Sequence, residues 1–165
     1  MRALLRSECL TLRYKFEPAS VKLVVIADSP PKPRLYFYDP LGRVTEPLFA
    51  AMMNALCYKP TTKEDGLHEF RRRGGLLVNA TYRPLDGLTH AAYVEAIQQS
   101  YPALLDELLK MVPEKLAPIL LIKARLCRLL EPKLKADGFT MPYKGIGITS
   151  LLKTAGKFRE QFAAL

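Results

Sequence analysis

Histidine and cysteine are scarce in this 165-residue chain, which has only His68, His90, Cys9, Cys57 and Cys127. The cysteines are odd in number, widely separated and in no C-x-x-C arrangement, which argues against both a disulfide framework and a zinc site. A reducing, cytoplasmic compartment is the expectation. Neither histidine has a second histidine or cysteine at ligand spacing, so no metal is expected. Long hydrophobic runs are missing too. The longest, 21–27 with Lys22 inside it and 117–122, fall far short of the roughly 20 residues that a bilayer-spanning helix needs, and no membrane segment is expected. Residues 1–12 carry Arg2, Arg6 and Glu8 among their leucines and so lack the uninterrupted apolar stretch of an export signal. The chain contains neither G-x-G-x-x-G nor G-x-x-x-x-G-K, which removes the usual dinucleotide and P-loop fingerprints. No internal repeat, low-complexity tract or linker divides it, and a single domain over 1–165 is expected.

What is present is an apolar fraction of 49% beside 25% charged residues, the balance of a globular protein able to bury one core. The formal net charge is +9 and is unevenly spread. From Pro113 onward there are ten basic residues against four acidic ones, a net +6. Lysine and arginine concentrated in one part of a domain attract phosphate backbones, so nucleic acid heads the expected partners. Basicity that serves only solubility is the alternative.

Residues 21–27, VKLVVIA, form a nearly continuous β-branched run that stops at Asp28-Ser29-Pro30-Pro31, as a strand buried on both faces does. Leu35-Tyr36-Phe37-Tyr38 reads as a short edge strand or an aromatic loop. Thr45 is the expected cap of a helix with Pro47 in its first turn and Leu48, Phe49, Met52, Met53 and Leu56 facing inward. A second helix is expected over 62–73, ending at Gly74-Gly75, with a strand from Leu76 running into Asn79. Thr89 caps a helix to about Ser100, and Pro102 restarts another. Pro118–Ile122 supplies a third strand, followed by a basic helix that Pro132 shortens or kinks. Phe139-Thr140-Met141 reads as a fourth strand, and a last amphipathic helix covers about 151–163. Strands separated by helices imply a mostly parallel four-stranded sheet in a three-layer α/β/α domain.

In such sheets ligands bind beyond the carboxyl ends of the strands, which directs attention to Asp28–Pro31, Asn79–Arg83, Lys123 with Arg125, and Pro142–Gly147. At these positions the chain resembles the uracil-DNA glycosylase superfamily. The segment Val24–Pro31 is similar to that family's first strand and its Gly-x-(Asp or Asn)-Pro turn. With Pro30 aligned on the family proline, Ser29 takes the water-activating position and Asp28 lies one residue earlier, so the resemblance implies Asp28 or Ser29 as the residue that orients water. Gly74-Gly75-Leu76-Leu77-Val78-Asn79-Ala80-Thr81 is similar to the strand whose asparagine reads the everted base. An amide offers a donor and an acceptor in one plane, matching O4 and N3–H of uracil. Tyr36, Phe37 and Tyr38 stand where family members keep an aromatic that stacks on the base. The family's His-Pro-Ser loop is absent in that form. Tyr143, Lys144 and Gly145, within Met141–Gly147, stand in its place, and Lys144 or a backbone N–H would supply the donor for the departing base.

The resemblance therefore implies a DNA-repair glycosylase that needs no cofactor and acts as a monomer. It would bind DNA, single strands included, with Lys123, Arg125, Tyr143, Lys144 and Gly145 toward the phosphates and Pro30 against the substrate. The alternative is a catalytically silent nucleic-acid-binding relative. A small-molecule enzyme using the same strand ends has less support, because the phosphate fingerprints are missing. The triplet Arg71-Arg72-Arg73 reads as a phosphate clamp or, more simply, as a solvated helix end favoured by the helix dipole.

Overall fold

The computed structural model describes residues 2–141. The C-terminal segment that carries Tyr143, Lys144, Gly145 and the expected last helix lies outside the described residues.

Three short runs rich in Val, Ile and Leu form the sheet: β1 (Leu23–Ala27), β2 (Gly75–Asn79) and β3 (Ile119–Leu121). They are parallel, in the order β2-β1-β3. Every residue of the three strands is buried, which explains why their sequences run apolar continuously instead of alternating. Alternate residues nonetheless serve opposite faces. Leu23, Val25, Ala27, Leu77 and Leu120 join one core, and Val24, Ile26, Leu76, Val78, Ile119 and Leu121 the other.

The first core is covered by helices α1 (Arg6–Tyr14), α2 (Pro47–Ala55) and α3 (Lys63–Arg72), and the second by α4 (His90–Met111) and α5 (Ala124–Ala136). The arrangement has three layers, as the sequence implies, but among the described residues the sheet has three strands and not four. Phe139–Met141 forms no strand. Thr140 lies beside β3 and accepts one bond, from the Ile119 N–H at 2.9 Å.

Several boundaries follow the sequence and others correct it. The Thr62 hydroxyl caps α3 by accepting the Asp65 N–H at 3.1 Å, and the helix closes at Gly74, whose φ of +81° suits glycine. Helix α2 is capped by Glu46, not Thr45. Pro47 holds the residue before it in an extended conformation, and Glu46 has φ −58° and ψ 129°. Pro102 does not divide α4, which runs unbroken for 22 residues. An interior proline costs about 3 kcal/mol. Here Tyr93, Ile97, Leu104 and Leu108 are buried on both sides of it, and each contributes roughly 1.5–3 kcal/mol, so packing outweighs the lost bond. Pro132 likewise sits inside α5 without ending it. The sequence pattern assigns no element to 6–14, yet α1 forms there and is docked through Arg13, whose guanidinium is buried against Glu107 of α4 and also pairs with Glu17. The arginine triplet folds back onto its surroundings: Arg72 and Arg73 pair with Glu69, and Arg71 donates to the Lys15 carbonyl.

Candidate functional site

The carboxyl ends of all three strands open at the same edge. Ala27 and Asn79 are register partners, and the β1–β2 ladder continues past them through Ala80 N–H to Ala27 O (2.7 Å) and Thr81 N–H to Asp28 O (2.9 Å). On the other side the Ile122 N–H donates to Ile26 O at 2.9 Å. The backbones beyond β1, β2 and β3 are therefore fixed against one another, and the side chains of Asp28, Asn79 and Lys123 are delivered to one place.

That place is a cavity of about 380 Å³ on the α2 face of the sheet, a size typical of small-ligand sites. Its walls are mainly apolar, built from Ala27, Tyr36, Phe37, Leu48, Leu77 and Ile122, with Asp28, Ser29, Glu46, Asn79 and Lys123 as the polar members. The Asn79 residue is 3% exposed, yet its amide oxygen has no hydrogen-bond partner among the described residues. A buried amide left unpaired costs stability. Asn79 also lines the cavity.

Asp28 is held on both oxygens. Oδ1 accepts the Ser29 N–H at 2.8 Å and Oδ2 accepts from the Lys123 ammonium at 2.7 Å. Lys123 adopts φ +75°, the left-handed region that non-glycine residues rarely enter, and it is the N-cap of α5 without a side-chain cap bond. A second depression, about 680 Å³, borders the same 28–31 turn and is lined by Pro30, Lys32, Asp86, Tyr93, Lys123 and Arg125 among others. The Arg125 guanidinium stacks on the Tyr93 ring with its carbon 3.5 Å from the centroid. The Tyr93 hydroxyl, beside Asp28 and Arg125, makes no well-aligned hydrogen bond among the described residues. Burial, reinforced by the Asp28 charge and opposed by Arg125, pushes its phenol up to about 12.

The structure thus brings Asp28, Ser29, Asn79, Tyr36 and Phe37 to one cavity, while Pro30 and Arg125 line the polar trough beside it and Lys123 borders both. Tyr36, Phe37 and Tyr38 follow a short 3-10 turn (Pro33–Leu35) instead of forming an edge strand, and all three are buried. Tyr38 is not a cavity residue: its hydroxyl accepts the Leu77 N–H at 2.8 Å and its ring packs on Phe16 and Phe37. Several basic residues beyond Pro113 have partners within the fold. Lys115 donates to the Asp137 carbonyl, Lys135 pairs with Glu131, and Lys133 lies over the Tyr101 ring.

Two site residues escape sequence reasoning. Glu46 is 7% exposed and borders the cavity beside a completely buried Lys63. The Lys63 ammonium stands 3.2 Å from Glu46 Oε2 and donates to the Tyr36 carbonyl at 2.6 Å, tying α3 to the aromatic wall. Burial raises the Glu46 carboxyl, with Lys63 opposing, and lowers the Lys63 ammonium. The signal for Glu46 is its position immediately before Pro47. Tyr93 carries no local signal beyond lying one turn after the Thr89 cap.

No cluster of three or more His, Cys, Asp or Glu side chains able to hold a metal occurs among the described residues, and no described helix is long and apolar enough to cross a membrane. All three cysteines are free, with Cys9 and Cys127 buried and Cys57 exposed. Compared with protein-family models, curated proteins and solved structures, the chain matches none.

Proposed function

We propose that the chain is a nucleic-acid-binding N-glycosylase that takes a flipped damaged base such as uracil into the cavity at the strand ends. The observation that carries this reading is the convergence of Asp28 and the unpartnered Asn79 amide on one largely apolar cavity beside a trough that holds Lys32, Lys123 and Arg125. The base lies against Tyr36 and Phe37, Asn79 bonds its edge, and the strand's phosphates run along the trough. Asp28 orients a water molecule and takes its proton as the water oxygen bonds to C1′. The C1′–N bond breaks and the base leaves with the electron pair. A positioned general base of this kind contributes about 10²–10⁴-fold in rate. The resemblance assigns the donor for the departing base to the 142–147 segment.

The experiment is incubation of the purified protein with uracil-containing single- and double-stranded oligonucleotides, followed by alkali to cleave abasic sites. The reading requires alkali-sensitive product that falls at least about 10²-fold in Asp28→Asn. Product that persists unchanged in an Asp28→Ala, Ser29→Ala double variant would refute the assigned roles. A second reading, a binding protein without catalysis, is favoured by the Lys123 ammonium that already occupies Asp28. It requires salt-dependent oligonucleotide binding with no abasic product.

A further inference from the structure

Lys123 belongs to both depressions and so does Asp28, the residue it pairs with. The two partners are unequally solvated: the Lys123 side chain is 59% exposed and that of Asp28 is 12% exposed. The ammonium can therefore leave the pair and remain hydrated, whereas the carboxylate stays at the cavity wall. Exposed pairs of this kind separate easily, and a phosphodiester is a competing anion for a lysine. The trough into which the ammonium would swing also presents Lys32 and Arg125, with Asp86 as its other acid and the Tyr93 hydroxyl at its wall. It is suited to a single anionic group brought in by a larger molecule.

We propose that Lys123 is a phosphate-operated gate on Asp28. In the free protein its ammonium occupies the carboxylate. A phosphodiester seated in the trough draws the ammonium away and frees Asp28 to accept a proton from water. Lys123 is in this sense a positioning residue that acts through Asp28. The gate defines the substrate class as a nucleic acid strand and not a free nucleoside, because a nucleoside carries no phosphate to move the lysine. The inference rests on the reading of Asp28 as the water-orienting base.

The test uses the full chain with two variants, Lys123→Met and Lys123→Gly. Glycine adopts φ +75° without strain, so the second variant keeps the test independent of folding defects. The first arm follows the Lys123 Cε signal by carbon NMR while a uracil oligonucleotide with a hydrolysis-resistant 2′-fluoro sugar is added. The signal is expected to shift saturably, and in free Asp28→Asn protein it should already have left the position it holds in the free parent. The second arm compares hydrolysis of 2′-deoxyuridine with that of a uracil-containing single strand. Both variants are expected to narrow the strand-over-nucleoside rate ratio by about tenfold or more, through a faster nucleoside reaction. An oligonucleotide that binds while the Lys123 signal stays put overturns the gate alone, as does an unchanged rate ratio in both variants. An oligonucleotide that does not bind overturns the functional reading and the gate with it.

Discussion

Asn79 stands across the β1–β2 ladder from Ala27, and both residues line the cavity that Asp28, one residue beyond Ala27, also borders. The amide oxygen is buried without a donor among the described residues, which makes Asn79 a stability liability there. Asn79→Leu, nearly isosteric and unable to leave a polar atom unpaired, is expected to stabilise the fold by about 1 kcal/mol while abolishing base binding. Urea denaturation and oligonucleotide binding measure the two effects. A variant less stable than the parent would show that the amide is satisfied in the folded protein.

The strands and the α3 boundaries were legible because their determinants are local: β-branched runs, a threonine cap and a glycine that accepts positive φ. Asp28 and Asn79 drew attention for the same reason, since polar residues at the carboxyl ends of buried strands lie where open α/β sheets bind ligands. The remainder depends on partners distant in sequence. Pro102 reads as a break until the anchors on both sides are known to face one core. Nothing local distinguishes the buried Arg13 and Lys63 from solvated charges, because their partners Glu107 and Glu46 come from other elements. The Tyr36–Tyr38 run announces an aromatic site, but which rings line the cavity is decided by Leu77, whose N–H claims the Tyr38 hydroxyl.

Gly66 reverses the usual helix rule. In an exposed helix, Gly→Ala stabilises by about 1 kcal/mol through backbone entropy. At Gly66 an added Cβ would meet the Phe49 ring and stand 2.8 Å from Met53 Sδ, both on α2. Overpacking of this kind costs about 1–3 kcal/mol, so Gly66→Ala is expected to lower stability by about 1 kcal/mol or more. A higher urea midpoint would mean that α2 can retreat from α3 at little cost.

The Arg13–Glu107 pair fastens α1 to α4 with both side chains under 10% exposed. Burial opposes the Arg13 charge, and Glu107 more than restores it. Removing Glu107 leaves the buried Arg13 guanidinium with only the Glu17 ion pair among the described residues, and breaking a buried pair costs up to about 3–5 kcal/mol. Glu107→Leu alone is therefore expected to destabilise severely, and Arg13→Met with Glu107→Leu to recover most of the loss. The readout is a double-mutant cycle in urea, and purely additive losses would show that the pair is not coupled.

Glu46 sets a pH dependence with a definite sign. Burial raises its carboxyl above the ordinary value of 4.5, because the charged form is disfavoured beside the apolar cavity, while Lys63 pulls in the opposite direction without cancelling the effect. A folded-state value above the unfolded one means that the folded protein binds more protons between the two. The contribution is fully present below about pH 4.5 and is lost as the pH rises through the folded value. Glutamine at this position cannot titrate, so Glu46→Gln is expected to lack this downward slope in stability above pH 4.5, whatever its absolute midpoint. Lys63 adds the opposite slope at alkaline pH, since burial lowers its value and the unfolded chain then holds the extra proton. Urea midpoints for the parent and Glu46→Gln across the acidic to neutral range isolate the carboxyl contribution. Parallel curves would show that Lys63 holds Glu46 ionised as firmly in the fold as water does in the unfolded chain.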